Sequence, residues 1–338
     1  MEECKSKNDI IIIFGKTLIM SKHFSLLFLF TILGLSLFGQ EKYISHFTSD
    51  VVVETLTYAS KDGQDLALDV YLPQNDPDTD RPLLLFVHGG GFFAGERNSE
   101  SIVRFCNNLA EYGYVAASIS YRLTRKGTPE KFGCDCPEKE KLATFAAAVE
   151  DIQDATYYLI QNSEYLGIDP YKIILAGGSA GAEAALMTAY TPPVCYDLPS
   201  GPVSYAGVIG LAGAIPDTTI IYKESAVPSM FFHGTDDNLV PYGTAPHHYC
   251  AKNKPGYIIL HGSRTIASKL DKLAVPYWLH TTCGGGHELA GTPLHKYFDE
   301  IVDFCYSFVV KKSTEFRHTV VKDKEQQPNY KQYNYCEQ

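Results

Sequence analysis

From Ile173 to Gly181 the chain reads Ile-Ile-Leu-Ala-Gly-Gly-Ser-Ala-Gly, an apolar run that ends in glycines around one serine. Few backbone paths suit such a segment. The four apolar residues 173–176 predict a buried strand, and the alanine-rich stretch 180–190 predicts a helix. A strand that reverses directly into a helix forces its corner residue into strained geometry, so small residues must stand two before and two after it. Gly177 and Gly181 hold those places. Ser179 is then raised above a sheet end, at the positive end of the next helix, where developing negative charge is stabilised. With 27 glycines in the chain, the same pattern can also mark a turn without chemistry, so its neighbours decide its meaning.

Three further strand ends supply that context. Leu83-Leu84-Leu85-Phe86-Val87 predicts a buried strand ending in His88-Gly89-Gly90-Gly91-Phe92, whose glycines leave backbone N–H groups uncovered for an oxygen to approach. Met230-Phe231-Phe232 predicts a short strand entering His233-Gly234-Thr235-Asp236-Asp237, where a carboxylate can orient an imidazole. Tyr277-Trp278-Leu279 leads into Cys283-Gly284-Gly285-Gly286-His287, a loop able to curl back over the serine and present a base. Asp237 follows Ser179 by 58 residues and His287 follows Asp237 by 50. Serine, acid, histidine is the chain order of the α/β-hydrolase fold, and not that of chymotrypsin or subtilisin.

The chain resembles the α/β-hydrolase serine esterases that carry an HGGG oxyanion motif, the hormone-sensitive-lipase-like enzymes among them. The segments Ile119-Ser120-Tyr121-Arg122-Leu123, Gly167-Ile168-Asp169-Pro170 and His233-Gly234-Thr235-Asp236-Asp237 look most like secreted bacterial feruloyl and acetyl xylan esterases, with the likeness running from about Leu66 to Val310. The resemblance implies that Ser179 attacks an ester carbonyl, His287 takes and returns the proton, and Asp237 holds the imidazole. It also implies that the N–H groups of Gly90, Gly91 and Ala180 bind the oxyanion. Asp236 competes for the acid role, and family spacing, with the acid four residues before Pro241, favours Asp237. The chain departs from the hormone-sensitive-lipase pattern at Gly178, where an acidic residue is usual, and at Ala182 and Glu183, where a second glycine is usual.

At 338 residues and 45% hydrophobic composition, one α/β domain of about 270 residues fits the span of these motifs. The expected organisation is a leader over 1–40, a catalytic domain over 41–310 and a polar tail over 311–338. Residues 24–38 are continuously apolar, follow Lys22 and His23, and stop at Gly39-Gln40, the pattern of a secretory signal peptide within about 20–40. An uncleaved anchor is the alternative, and 15 residues are short for spanning. Beyond Gln40 eight cysteines remain, the even number that disulfides in an exported protein require, though spacing names no pairs. Cys134-Asp135-Cys136 lacks a second ligand pair for zinc, and no metal or cofactor is expected. A bridge at Cys283 would pin the histidine loop, and a buried thiol there is an equal reading.

The formal charge of −10 becomes −11 without residues 1–40. An acidic chain without basic stretches argues against nucleic acid or an anionic membrane as partner and for a neutral ester substrate, small or linked to polysaccharide. Its oligomeric state is open.

Alternating strand and helix segments predict a mostly parallel sheet covered by helices on both faces, with the active residues at the strands' carboxyl ends. Only about seventeen residues separate the strand near Leu211 from the one at Ser229, so no large cap is expected there and an open site is. The loops 124–138 and 191–202 flank the site or serve as spacers. His88 and His233 read as loop braces, Asp151 and Asp154 as a solvated or salt-bridged helix face, and the tail as poorly ordered. The sequence therefore favours a secreted or periplasmic short-acyl esterase. An amidase or peptidase of the same fold, or a noncatalytic binding protein built on it, are the alternatives.

Overall fold

A computed structural model describes residues 41–191, 203–322, 324–327 and 336. The leader and the greater part of the 191–202 loop lie outside these residues.

The chain opens with a hairpin of β1 (Val51–Lys61) and β2 (Gln64–Pro73). Asp62 and Gly63 both take positive φ at its turn, as a two-residue hairpin loop demands. There follow β3 (Arg81–Val87), α1 (Glu100–Glu111), β4 (Val115–Ile119), α2 (Glu138–Gln161), α3 (Ser163–Leu166), β5 (Ile168–Gly178) and α4 (Ala180–Tyr190). After these come β6 (Gly207–Leu211), β7 (Ala214–Ile215), β8 (Ser229–Gly234), β9 (Thr244–Pro246), β10 (Ile259–Gly262), α5 (Ser263–Lys272) and β11 (Tyr277–Thr282). The described chain closes with α6 (Pro293–Lys296), α7 (Phe298–Phe304) and β12 (Phe316–Val321).

Nine strands form one sheet in the order β1-β2-β4-β3-β5-β6-β8-β11-β12. From β4 to β12 every neighbouring pair is parallel, while β2 runs antiparallel to both β1 and β4. Parallel strands with helices on both faces must be apolar on both sides. Accordingly Leu83, Leu85, Ile173 and Leu175 point into one core with α2, α4 and α5. Leu84, Phe86, Ile174 and Ala176 alternate into the other core, against α1 and α7. The fold is that of an α/β-hydrolase, as the strand pattern predicts. The stretch between β6 and β8 holds β7 and a 3₁₀ turn, Thr218–Ile220.

Three features depart from expectation. The tail is not a loose extension over its whole length, because β12 pairs parallel with β11 from Tyr277–Phe316 to Thr282–Val321 and adds the ninth strand. The C-terminal helical segment is not one regular helix: it breaks at Tyr297, where φ is −125°, and continues past α7 as a π-helical turn over Cys305–Val310. A small antiparallel sheet, β7-β10-β9, was not expected at all.

The corner after β5 shows why its glycines are needed. A Cβ at Gly177 would overlap the Gly181 carbonyl, and one at Gly181 would overlap the carbonyls of Val87 and His88 at the end of β3. Gly181→Ala should therefore lower stability by about 1–3 kcal/mol, the usual cost of overpacking, and displace the 88–92 loop. Urea unfolding midpoints and ester turnover, measured together, check both effects.

Candidate active site

Ser179 sits between β5 and α4 with φ 54° and ψ −126°, a conformation that costs a non-glycine residue about 1–3 kcal/mol. Its N–H is tied to the Leu211 carbonyl at the end of β6, at 2.9 Å. The strained corner therefore projects the hydroxyl beyond the sheet. Gly178 meets the Ala290 carbonyl so closely that a Cβ would overlap it.

The three candidates read from the sequence meet here. Ser179 Oγ lies 2.8 Å from His287 Nε2, and His287 Nδ1 lies 2.7 Å from Asp237 Oδ2. Asp237 is buried, and its Oδ1 accepts hydrogen bonds from the N–H groups of Leu239 and Val240, both at 2.9 Å. Burial by itself would raise this carboxyl, but hydrogen bonds with His233 and His287 outweigh it and hold the group well below the usual carboxylate range. Ionised Asp237 thus selects the His287 tautomer with Nδ1–H, leaving Nε2 as an acceptor for the serine proton.

Asp236 points elsewhere. Its Oδ1 accepts from the Thr235 hydroxyl at 2.7 Å and its Oδ2 from the Gln327 N–H at 2.6 Å, so it ties the tail to the β8 loop. His233 proves to be more than a loop brace: its Nε2 lies 3.0 Å from the Val240 carbonyl and 3.5 Å from Asp237 Oδ2, while Nδ1 meets Ser263 Oγ at 2.8 Å. It approaches the same carboxylate oxygen that His287 engages. His88 does brace its loop, through Nδ1 and the Gly89 carbonyl at 2.7 Å.

The glycine loop after β3 lies against the serine, since a Cβ at Gly89 would come within 3.2 Å of Ser179 Cβ. Among the described residues no hydrogen bond engages the N–H of Gly90 or Gly91, and Ala180, first residue of α4, has no intrahelical acceptor for its N–H. These three groups and Ser179 line a cleft of about 530 Å³, walled by Phe93, Phe132, Leu239 and Val240. Phe132 shows that the 124–138 loop does shape the cleft.

Sequence reasoning missed a second polar cluster at this cleft. Glu183 and His247, both buried, approach to 3.5 Å through Glu183 Oε1 and His247 Nε2. His247 Nδ1 lies 3.2 Å from the ammonium of buried Lys141, which also donates to the Gly256 carbonyl at 2.9 Å. Burial pushes the Glu183 carboxyl up to about 8, Lys141 opposing and Asp237 reinforcing the rise. Burial, too, holds Lys141 below its usual range and pushes His248, at the cleft wall, down to about 4. The only sequence signal was a lone acid in an otherwise apolar helix.

Two disulfides brace the site's loops. Cys134–Cys250 joins the 124–138 loop to the segment carrying His247 and His248, and Cys283–Cys336 joins the histidine loop to the tail. Cys106, Cys136 and Cys305 are buried free thiols, and Cys195 lies outside the described residues. Removing the second bridge by Cys336→Ser frees a loop spanning 53 residues, and should cost about 2–4 kcal/mol. Thermal unfolding of the variant beside the wild type measures the loss.

Fold and site together define an α/β-hydrolase with a serine, histidine and aspartate in hydrogen-bonded sequence beside a glycine loop. Comparison with known proteins agrees. The BD-FAE family model matches residues 68–195. The chain is 30% identical over 139 residues to an ethyl acetate hydrolase of Pseudomonas putida, covering 40% of this chain and 38% of that protein. It is 32% identical over 138 residues to lipase 2 of Moraxella sp. (strain TA144), covering 39% and 28%. A 30% match over 159 residues to the non-reducing polyketide synthase atr1 of Stereocaulon alpinum covers 44% of this chain and 6% of that one. The chain thus spans 6% to 38% of the length of these curated relatives. Among solved structures, the thermophilic esterase 2 of Thermogutta terrifontis with propionate bound shares the fold, with a TM-score of 0.56 at 22% identity over 78% of this chain and 95% of that one.

Proposed function

We propose that this chain is a serine carboxylesterase that hydrolyses short-acyl esters, of acetyl or feruloyl type, through an acyl-enzyme. The observation that carries the reading is the continuous relay from Ser179 Oγ through His287 to Asp237, at 2.8 and 2.7 Å, opening on an apolar cleft.

In the first half-reaction His287 Nε2 accepts the Ser179 proton as Oγ bonds to the ester carbonyl carbon. The electron pair moves to the carbonyl oxygen, which the N–H groups of Gly90, Gly91 and Ala180 stabilise. The pair returns, the alcohol oxygen leaves, and the His287 imidazolium protonates it. Water then repeats the sequence on the acyl-enzyme, with His287 taking its proton and returning it to Ser179. Asp237 remains ionised throughout and stabilises the imidazolium.

A hydrolase relative that acts on ethyl acetate and the absence of a large insertion between β6 and β8 support a short-acyl preference. The two disulfides suit an oxidising compartment and so support secretion or a periplasmic location. Among the described residues no helix is long and apolar enough to cross a membrane.

The test is turnover of p-nitrophenyl acetate, butyrate and decanoate, with rates expected to fall as the chain lengthens. Paraoxon, which phosphorylates the Thermogutta esterase, should add one diethylphosphoryl group to the protein, located on Ser179 by peptide mass spectrometry. Decanoate as the best substrate would refute the acyl preference, and an unmodified Ser179 would refute the nucleophile.

A further inference from the structure

The polar cluster behind the cleft has no part in the relay. Helix α4 is buried along its whole length, and ten of its eleven residues are glycine, alanine, leucine, methionine, threonine or tyrosine. The exception is Glu183. Burying a carboxyl costs several kcal/mol unless it is paired. Departures of this kind, where local consistency is given up, concentrate at functional sites.

Its surroundings show what the carboxyl lacks. Among the described residues Glu183 Oε1 has no hydrogen-bond partner, and His247 stands too far for a strong bond at 3.5 Å. Glu183 nevertheless lines the cleft that holds Ser179, with the Glu183 N–H bonded to the Ser179 carbonyl at 2.9 Å. One helical turn, about 6 Å of rise, separates the two residues. The cleft that a substrate engaged by Ser179 enters is therefore lined by Glu183.

We propose that Glu183, held in place by His247 and Lys141, determines specificity by hydrogen bonding a hydroxyl group of the ester close to its scissile bond. The proposal rests on the hydrolase reading above. The charges of the cluster select a neutral partner. A substrate cation would meet the Lys141 ammonium behind His247, and a substrate anion would meet the buried Asp237 carboxylate. A hydroxyl both donates and accepts, and so can answer the carboxyl in either protonation state. Apart from His247 and His248, the cleft wall away from the relay is apolar, with Phe93, Phe132, Leu239 and Val240, so an unhydroxylated ester leaves Glu183 unanswered.

The hydroxyl can belong to the acyl group or to the alcohol, and two matched pairs separate these sources. Ethyl butyrate against ethyl 3-hydroxybutyrate tests the acyl side; propyl acetate against glycerol 1-monoacetate tests the alcohol side. Wild type should favour the hydroxylated member of one pair by about tenfold or more in kcat/KM. Glu183→Leu should bring that ratio near one, and Glu183→Gln, whose amide also donates and accepts, should retain part of it. Because the readout is a ratio between matched esters, a general loss of activity cancels. No preference in either wild-type pair, or a preference that survives Glu183→Leu, overturns the proposal. The wild-type arms need no substitution, so the outcome does not depend on whether the leucine variant folds. A fluorophosphonate probe distinguishes the failures: labelled Ser179 without hydroxyl preference sinks this proposal alone, whereas no label and no turnover sinks the hydrolase reading and this one with it.

Discussion

Ser179→Ala should reduce turnover of p-nitrophenyl acetate about a millionfold while leaving the thermal midpoint within a few degrees of wild type. The size of the effect follows from the relay acting as one unit: without Oγ, His287 has no proton to accept and the carbonyl no attacking atom. His287→Ala should therefore cost about as much, and the double variant little more than either alone. A residual rate about 10³–10⁴ above the uncatalysed reaction is expected from the N–H groups of Gly90, Gly91 and Ala180 and from binding. The small effect on stability follows from the contacts, since among the described residues the Ser179 hydroxyl hydrogen bonds to His287 alone. Single-turnover kinetics beside differential scanning calorimetry check both halves. A variant retaining a tenth of wild-type activity would remove Ser179 from the nucleophile's role.

Asp237→Asn should lower kcat by about 10³–10⁴ with the fold intact, for a reason that lies in the hydrogen-bond pattern. Oδ1 of Asp237 takes the N–H groups of Leu239 and Val240, so the asparagine oxygen must stay on that side. Its NH₂ then faces His287 Nδ1, which must become an acceptor, and the ring proton moves to Nε2. A ring protonated at Nε2 cannot take the serine proton, so the geometry survives and the base does not. Asp236→Asn disturbs only the contacts to Thr235 and Gln327 and should change kcat by no more than a few-fold. If the two asparagine variants have equal activity, the assignment of the acid fails.

The relay was legible in the sequence because Ser179 and Asp237 follow uninterrupted apolar runs and His287 follows a shorter one, Tyr277 to Leu279, and strand ends in a parallel sheet share one edge. Leu83 to Val87, Ile173 to Ala176 and Met230 to Phe232 are buried on both faces, which is why they read as runs without alternation. Strand β12 gave no comparable signal. Its Phe-Arg-His-Thr-Val-Val sequence is half exposed at the sheet edge and flanked by charged residues, so only pairing with β11 makes it a strand. The two- to four-residue strands of the small sheet are shorter than any periodicity can register. Glu183 and His247 lie 64 residues apart, on a helix and a loop, and no spacing rule joins them. The disulfides likewise depend on tertiary proximity, and an even cysteine number did not carry through: three described thiols are free and buried.

The histidine loop is covered from outside by the segment that follows β12. Cys283 donates its N–H to Val321, accepts one from Lys324 and is bonded to Cys336. Ser179, by contrast, is set by strands complete before residue 240. A ribosome making this chain therefore finishes the nucleophile about a hundred residues before the clasp that steadies the base. Early in that interval the emerging polypeptide carries the serine corner but neither His287 nor the cleft wall supplied by His247, Ala290 and Gly291. The histidine loop is thus the last part of the relay to be made, and its tie to the tail is covalent only where an oxidant can join Cys283 to Cys336.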